Sequence, residues 1–391
     1  MTATTTTKAR ILIGGAGAPN YGDELIVKGW LDLLDPVGTE GGNVILYENT
    51  VQISRDFHTP AGHPWAERVA FRNNLTLMAK AAEGLNFWEQ VERGFTFMRD
   101  LGFSQHGYNG SRELFEAASF HLHGGGYFND IRSDKAFILG IAASFAKIYG
   151  IPVFATGIGF GPIKAPCPDR ARFEEILSYF DFFEARDDES FQQLTDLAPS
   201  ARIVNGIDDS LLLPAHKVFR RDSSKRRLHI SLIASHLPFI KPGFWAWLAA
   251  QSEAFDEVLF WESYAWNDRP VVEAVMASIP RCKVITTADL IHQLPPIGDD
   301  DVVVTHRFHV HFAAARAGAR GFYIAPSTYY LQKHRSIAAL GSMLNPFDFN
   351  NLPDLGDLPP VLPLDEVGLR RRKLELPTNY PLTAPLVTSP P

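Results

Sequence analysis

The stretch T-H-R-F-H-V-H at 305–311 packs one arginine and three histidines into six residues: His306, Arg307, His309 and His311. An apolar run at 301–305 predicts a strand before them. A helical pattern over 309–317 follows, with Gly318 as its stop. Arg307 and His309 therefore fall where a strand gives way to a helix, where free backbone N–H groups and the helix dipole favour an anion. A guanidinium adds a planar fork that suits carboxylate or phosphate. A histidine beside it is the residue type that can hand over a proton near neutral pH. A zinc site from His306, His309 and His311 is the alternative, but an arginine among them repels a cation, so the anion is preferred.

Other stretches carry weaker chemistry. I-L-I-G-G-A-G-A-P-N-Y-G-D-E, from Ile11 to Glu24, reads as strand, glycine loop and helix. A dinucleotide fingerprint fails because Asn20 stands at the third glycine position, and a Walker loop fails because Asp23 and Glu24 replace its lysine and hydroxyl. Asp23 then caps the helix and Glu24 favours its positive end, while Asn20 and Gly22 would line a ligand site at the carboxyl end of the first strand. S-F-H-L-H-G-G-G ends a strand at His123 and runs into Gly124, Gly125 and Gly126, whose N–H groups could meet a ligand. His121 and His123 face one side of that strand, as buried histidines or a metal pair. T-G-I-G-F-G-P-I, beginning at Thr156, reads as a glycine loop after a strand at 153–156. Arg186, at a strand end before a helix capped by Asp187 or Asp188, is an anion ligand or the partner of a neighbouring aspartate. Among Lys333, His334 and Arg335, Lys333 is the chosen cation for the same site as Arg307. Trp261, Tyr264 and Trp266 sit among polar residues after a strand, where they would stack on a sugar or simply pack.

The elements that must hold these residues alternate along the chain. Strands are expected at 10–14, 43–47, 120–123, 153–156 and 182–185, then at 228–233, 257–260, 283–286, 301–305 and 321–324. Helices fall between them, among them 24–34, 136–149, 170–179 and 191–197. Such alternation implies an α/β fold with mostly parallel sheets covered on both faces. The polar, basic segment H-K-V-F-R-R-D-S-S-K-R-R at 216–227 is read as a linker between two doubly wound domains, 1–215 and 228–350. Residues 51–115 are read as an insertion or helical subdomain, and 351–391 as a proline-rich extended tail.

Composition narrows the function class. The 391 residues are 46% hydrophobic, enough for two domains, and the formal net charge of -7 argues against a nucleic-acid binder. Two cysteines cannot build a disulfide framework. The segment M-T-A-T-T-T-T-K-A-R lacks the apolar core of a signal peptide, and the apolar stretch 136–163 is broken by Lys147, Gly150 and Pro152, so no stable membrane insertion is expected. A cytoplasmic protein is expected, and a homo-oligomer is allowed.

Taken in order, these pieces resemble the polysaccharide pyruvyltransferase family. The resemblance rests on Asn20-Tyr21-Gly22-Asp23, Gly124-Gly125-Gly126, Gly157 to Pro162, Ala185-Arg186-Asp187 with Ser190 and Leu194, Asp208-Asp209, Arg307-Phe308-His309, and Lys333 after Tyr330. It implies two Rossmann-like doubly wound domains in a GT-B-like arrangement, with the active site in the cleft between them. It implies phosphoenolpyruvate as donor, a sugar diol as acceptor and a pyruvyl ketal as product. His309 and Arg307 become the catalytic residues. Arg186, Lys333, Asn20, Gly22, Asp23, His123, Gly124, Gly125 and Gly126 become the substrate-binding set, with no metal and no cofactor. The sequence departs from the family at Leu211-Leu212-Leu213, at His121 and His123, and in the insertion and tail. Two rivals stand beside this reading: a nucleotide-sugar glycosyltransferase on the same plan, and a non-catalytic glycan-binding relative.

Overall fold

The runs R-I-L-I, V-I-L-Y and S-F-H-L show no polar alternation, and each forms a strand buried along its whole length. A strand buried on both faces needs helices on both, and the connections must then be parallel crossovers. The computed structural model describes residues 8–34, 43–101 and 112–375. Its strands are β1 (Arg10–Ile13), β2 (Val44–Tyr47), β3 (Val69–Arg72), β4 (Ser119–Leu122), β5 (Gly125–Phe128), β6 (Val153–Phe160), β7 (Phe182–Ala185) and β8 (Ile203–Asn205), followed by β9 (Arg220–Arg221), β10 (Arg227–Ser231), β11 (Glu257–Trp261), β12 (Lys283–Ile285), β13 (Pro296–Ile297), β14 (Val302–Thr305), β15 (Arg320–Tyr323) and β16 (Asn345–Pro346). The first sheet has the order β3-β2-β1-β4-β6-β7-β8, with β5 also paired to β6; the second has the order β12-β11-β10-β14-β15-β16; β13 pairs with β9. Pairing within both sheets is parallel.

The chain divides into two compact units. One comprises Met1–Ala18, Ile26–Leu212 and Arg371–Pro391; the other comprises Pro19–Leu25 and Leu213–Arg370. Each has its own apolar core. Phe120, Phe137, Phe145 and Ile158 are central to the first. Leu228, Phe244, Phe260 and Val304 are central to the second. The helix Tyr21–Leu34 has its first turn in the second unit and its body in the first. Among the described residues no helix is long and apolar enough to cross a membrane.

Several expectations are corrected. The described residues of 51–115 are not set apart from the first unit: β3 joins the main sheet, and the helix Phe87–Leu101 lies directly against Ala136–Tyr149, while 102–111 lie outside the described residues. A Cβ on Gly94 would fall 2.1 Å from the Phe137 carbonyl oxygen, and one on Gly140 would fall 2.0 Å from that of Val91. The reciprocal glycines are what let the two backbones touch. The segment 216–227 is no free linker, since β9 pairs with β13, and Arg227 is buried against Asp222, Glu257 and Asp301. The glycine loop expected after 156 is a strand instead, because β6 runs on to Phe160 through an irregularity near Gly157. Over 351–375 the tail is not simply extended, since Leu355 and Leu364 are buried in the second unit and a helix forms at Glu366–Glu375; 376–391 lie outside the described residues.

Candidate active site

β14 ends at Thr305, whose Oγ1 accepts the Arg307 N–H at 2.8 Å. Arg307 then stands as N-cap of the helix Phe308–Ala317, with extended φ and ψ of -91° and 125°. It gives the helix no side-chain cap, so its guanidinium is available elsewhere. An Nη2 hydrogen is donated to the Asp268 carboxylate, and the Tyr264 ring lies 5.9 Å from the guanidinium carbon. Asp268 is fully buried. It also accepts the Tyr264 N–H at 2.9 Å. Burial raises the Asp268 carboxyl above its ordinary value, and Arg307 opposes the rise. One carboxylate thus fixes the orientation of the arginine while leaving its side chain partly open.

His309, in the first turn of the same helix, leans on Gly22. A Cβ on Gly22 would lie 1.8 Å from His309 Nδ1. The segment Pro19–Leu25 is built into the second unit. Tyr21 N–H donates to the Ser263 carbonyl at 2.8 Å, Ala265 N–H donates to the Pro19 carbonyl at 3.1 Å, and Asn20 bridges to Tyr264. The helix begins at Tyr21, so Asn20 rather than Asp23 holds the cap position. Asn20 Oδ1 accepts the Gly22 N–H at 3.3 Å, and Asp23 lies within the first turn. Asn20, Gly22, Asp268, Arg307 and His309 therefore belong to one site in the second unit.

The surrounding rings are neutral. His306 is buried, and its Nδ1 accepts the Ile233 N–H at 3.1 Å. Burial chiefly, then His236 and Arg307, holds it well below the ordinary histidine value. His236 packs at right angles on His306 and on Tyr330, with centroids 5.0 and 4.4 Å apart. Burial and then Arg307 lower its pKa to about 4. Lys333 Nζ lies 4.1 Å from the Tyr329 ring centroid and 5.7 Å from that of Tyr330. This chain of rings connects Lys333 to the neighbourhood of Arg307 within one unit. His311 belongs elsewhere: its Nδ1 meets His334 Nδ1 at 2.9 Å and its Nε2 meets Ser342. The three histidines of the sequence cluster thus have three different surroundings, and Arg307 with His309 form its chemical end.

In the first unit the expected ligand residues have other duties. His123 is fully buried, and its Nε2 lies 2.9 Å from Glu48. The Gly124 N–H donates to Asp209 at 2.8 Å, and Gly125 and Gly126 enter β5 instead of an open loop. Arg186 is 6% exposed, with Nη1 3.4 Å from Asp208 and Nε 3.6 Å from Asp187.

Beside these lies a cluster not foreseen from the sequence. Lys373, fully buried, donates to both oxygens of Glu184 at 2.8 and 2.6 Å, to the Ile207 carbonyl at 2.9 Å, and to Asp209. Asp209 also accepts from Trp30 Nε1 and Thr156 Oγ1, each at 2.8 Å. The chain's own lysine thus covers Glu184 near the carboxyl end of β7, the kind of strand end where open α/β sheets usually take ligands.

Asp268 and Gly22 are the functional candidates that sequence reasoning missed in these roles. Asp268 precedes Arg269-Pro270 and reads locally as the start of the helix Arg269–Ser278, which conceals its bond to Arg307. Gly22 gives the sharper test. Gly22→Ala should fold normally, because alanine suits a helix better than glycine and the atoms it meets belong to the His309 ring rather than to backbone. Displacing His309 by ~1 Å should lower turnover about 10²-fold. A thermal melt beside an activity assay checks both; full activity would remove His309 from the site.

The pattern of the family described as polysaccharide pyruvyl transferase matches residues 20–328. No curated protein matches the chain. Among solved structures, UDP-GlcNAc 2-epimerase from Neisseria meningitidis, bound to UDP-GlcNAc, is 12% identical with a TM-score of 0.50, covering 96% of this chain and 94% of its own. UDP-GlcNAc 2-epimerase from Methanocaldococcus jannaschii is 11% identical with a TM-score of 0.50, covering 94% and 99%. At such identity the likeness shows the fold alone: two Rossmann-like α/β units of the GT-B type.

Proposed function

The chain belongs to the polysaccharide pyruvyl transferase family, and on that premise we propose that it moves the enolpyruvyl group of phosphoenolpyruvate onto a sugar diol, forming a pyruvyl ketal. The observation that carries the reading is the pair Arg307 and His309 at one helix start, the first oriented by a buried carboxylate and the second seated on a glycine. A helix N-terminus with an arginine favours a doubly negative donor. With His236 and His306 held neutral, the positive charge around the donor comes from Arg307 and Lys333. Arg186 is a substrate-binding residue of the first unit in this reading.

The chemistry then balances with side chains alone. His309 delivers a proton to the methylene carbon of phosphoenolpyruvate, leaving a cationic centre at the adjacent carbon. A sugar hydroxyl adds there and loses its proton. The bond to the phosphate oxygen breaks, and inorganic phosphate departs. The second hydroxyl adds to the same carbon and closes the ketal; of the two hydroxyl protons released, one restores His309 and the other leaves on the inorganic phosphate. Arg307 holds negative charge throughout, and its value is greatest in a site from which water is displaced.

Phosphoenolpyruvate is expected to raise the melting temperature, and UDP-hexoses and GDP-hexoses to leave it unchanged. Incubation with phosphoenolpyruvate and a panel of glycosides should release phosphate and yield a glycoside heavier by one pyruvyl ketal. Stabilisation by a nucleotide sugar, with no phosphate release from phosphoenolpyruvate, would transfer the protein to the glycosyltransferase reading.

A further inference from the structure

We infer that Trp266 is a stacking platform for a sugar ring of the acceptor, placed beside the Arg307 site by the loop that follows β11. The inference rests on the proposed function only in taking the acceptor to be a glycan.

Trp266 is 68% exposed, the only tryptophan so open among the described residues. Of the other two aromatic candidates here, Trp261 is fully buried with its Nε1 donating to His229, and the Tyr264 ring faces Arg307. Trp266 also has φ of +65°, a left-handed backbone that bulky side chains rarely adopt. Such a conformation persists only where neighbours impose it, and it gathers at functional positions.

The neighbours are plain. The Trp266 carbonyl accepts the Arg269 N–H at 3.4 Å. Asn267 N–H donates to the Ala265 carbonyl at 2.8 Å, and Asp268 N–H donates to that of Tyr264 at 3.0 Å. Asp268 closes the loop by accepting the Tyr264 N–H. Ala265 N–H donates to Pro19, in the segment that carries Gly22. An exposed ring is thus held in a costly conformation by a loop whose backbone is bonded on both sides of it, while the ring itself stays mostly open.

Its location gives the ring a use. Tyr264 and Asp268, two residues to either side, both touch Arg307. Two residues span at most about 7 Å of chain, so the backbone that carries the indole lies close to both partners of the arginine. Asn267 is exposed, and Asn20 and Glu262 are half-buried nearby along the same loop contacts. A hexose has an apolar C–H face and a rim of hydroxyls. A flat indole beside amide and carboxylate groups matches both features.

The test is direct binding of neutral hexose and N-acetylhexosamine oligosaccharides to the full chain without donor, by saturation-transfer NMR. Trp266→Ala should weaken the best-bound oligosaccharide at least tenfold, and Trp266→Phe should stay within threefold. Trp266→Gly should match the alanine variant in binding, yet melt at or above the wild-type temperature, because glycine suits this φ. Stabilisation by phosphoenolpyruvate should be the same in all four proteins. Oligosaccharide binding by the alanine variant within twofold of wild type would overturn the inference. So would an absence of any binding, or a change of oligomeric state as the only effect of the substitutions. If glycan binding depends on Trp266 but phosphoenolpyruvate neither binds nor reacts, the pyruvyl-transfer reading falls and this one stands.

Discussion

Lys373→Met is expected to destabilise the first unit by about 3–5 kcal/mol, the cost of stripping a buried ionic cluster of one partner. The lysine is 1% exposed and faces two carboxylates that are both fully enclosed. Burial pulls the Asp209 carboxyl up, but Lys373, Trp30 and His121 together hold it below its ordinary value. Glu184 goes the other way: burial outweighs Lys373 and raises it to about 7. A carboxyl raised on folding binds more protons folded than unfolded between its unfolded value and about 7. Stability therefore falls as pH rises through that window. Without the lysine, Glu184 is pushed further up, and the fall steepens. Urea unfolding of wild type and variant at pH 5.5 and pH 8 checks this, with the larger deficit expected at pH 8. A deficit below about 1 kcal/mol at pH 8, the range of an exposed pair, would show that the cluster is not desolvated. Adding Glu184→Gln should restore part of the loss, because it removes the carboxylate that lacks a countercharge.

Much of the frame was legible because apolar runs and helical periods are local signals. β7 at Phe182–Ala185 and the helix Ala136–Tyr149 lie where the residue pattern puts them, and Gly318 ends its helix with φ of +80°. The Arg307–His309 pair was legible for the same reason, since strand, turn and helix are contiguous there. What stayed hidden depends on distant partners. Lys373 lies in E-V-G-L-R-R-R-K-L-E, a run that reads as a solvated basic face. Only Glu184 and Asp209, remote in sequence, make its ammonium interior. Gly22 was read as lining a ligand site at the carboxyl end of the first strand because a loop's local sequence cannot say which unit it packs with. The Thr156-Gly157-Ile158-Gly159 run looked like a turn because glycine is a weak strand former. Yet β6 continues through it, with Gly157 close to the buried Asp209 and Gly159 close to Arg186. In these places packing over long sequence separations overrode local propensity.

His309→Ala is expected to lower the rate of pyruvyl transfer by about 10²–10⁴-fold, the contribution of general-acid catalysis, with little change in melting temperature. The second expectation follows from where the ring sits. His309 is partly exposed, in the first turn of a helix whose buried face is Val310, His311, Phe312 and Ala313 to Ala317, so its loss leaves the core intact. Donor binding should survive, because the groups assigned to the anion, Arg307 and Lys333, are untouched. The loss should therefore appear in kcat, with the melting shift from phosphoenolpyruvate close to wild type. That split separates a proton donor from an anion clamp: a clamp removed would abolish the melting shift along with the rate. Gly22→Ala supplies the internal control. It keeps the imidazole but displaces it, so its rate should fall between wild type and His309→Ala, and adding it to the alanine variant should cost nothing more. Non-additivity of this kind marks two residues acting through one group. If the double variant is instead as far below His309→Ala as Gly22→Ala is below wild type, glycine and histidine act independently. The proton must then come from another residue.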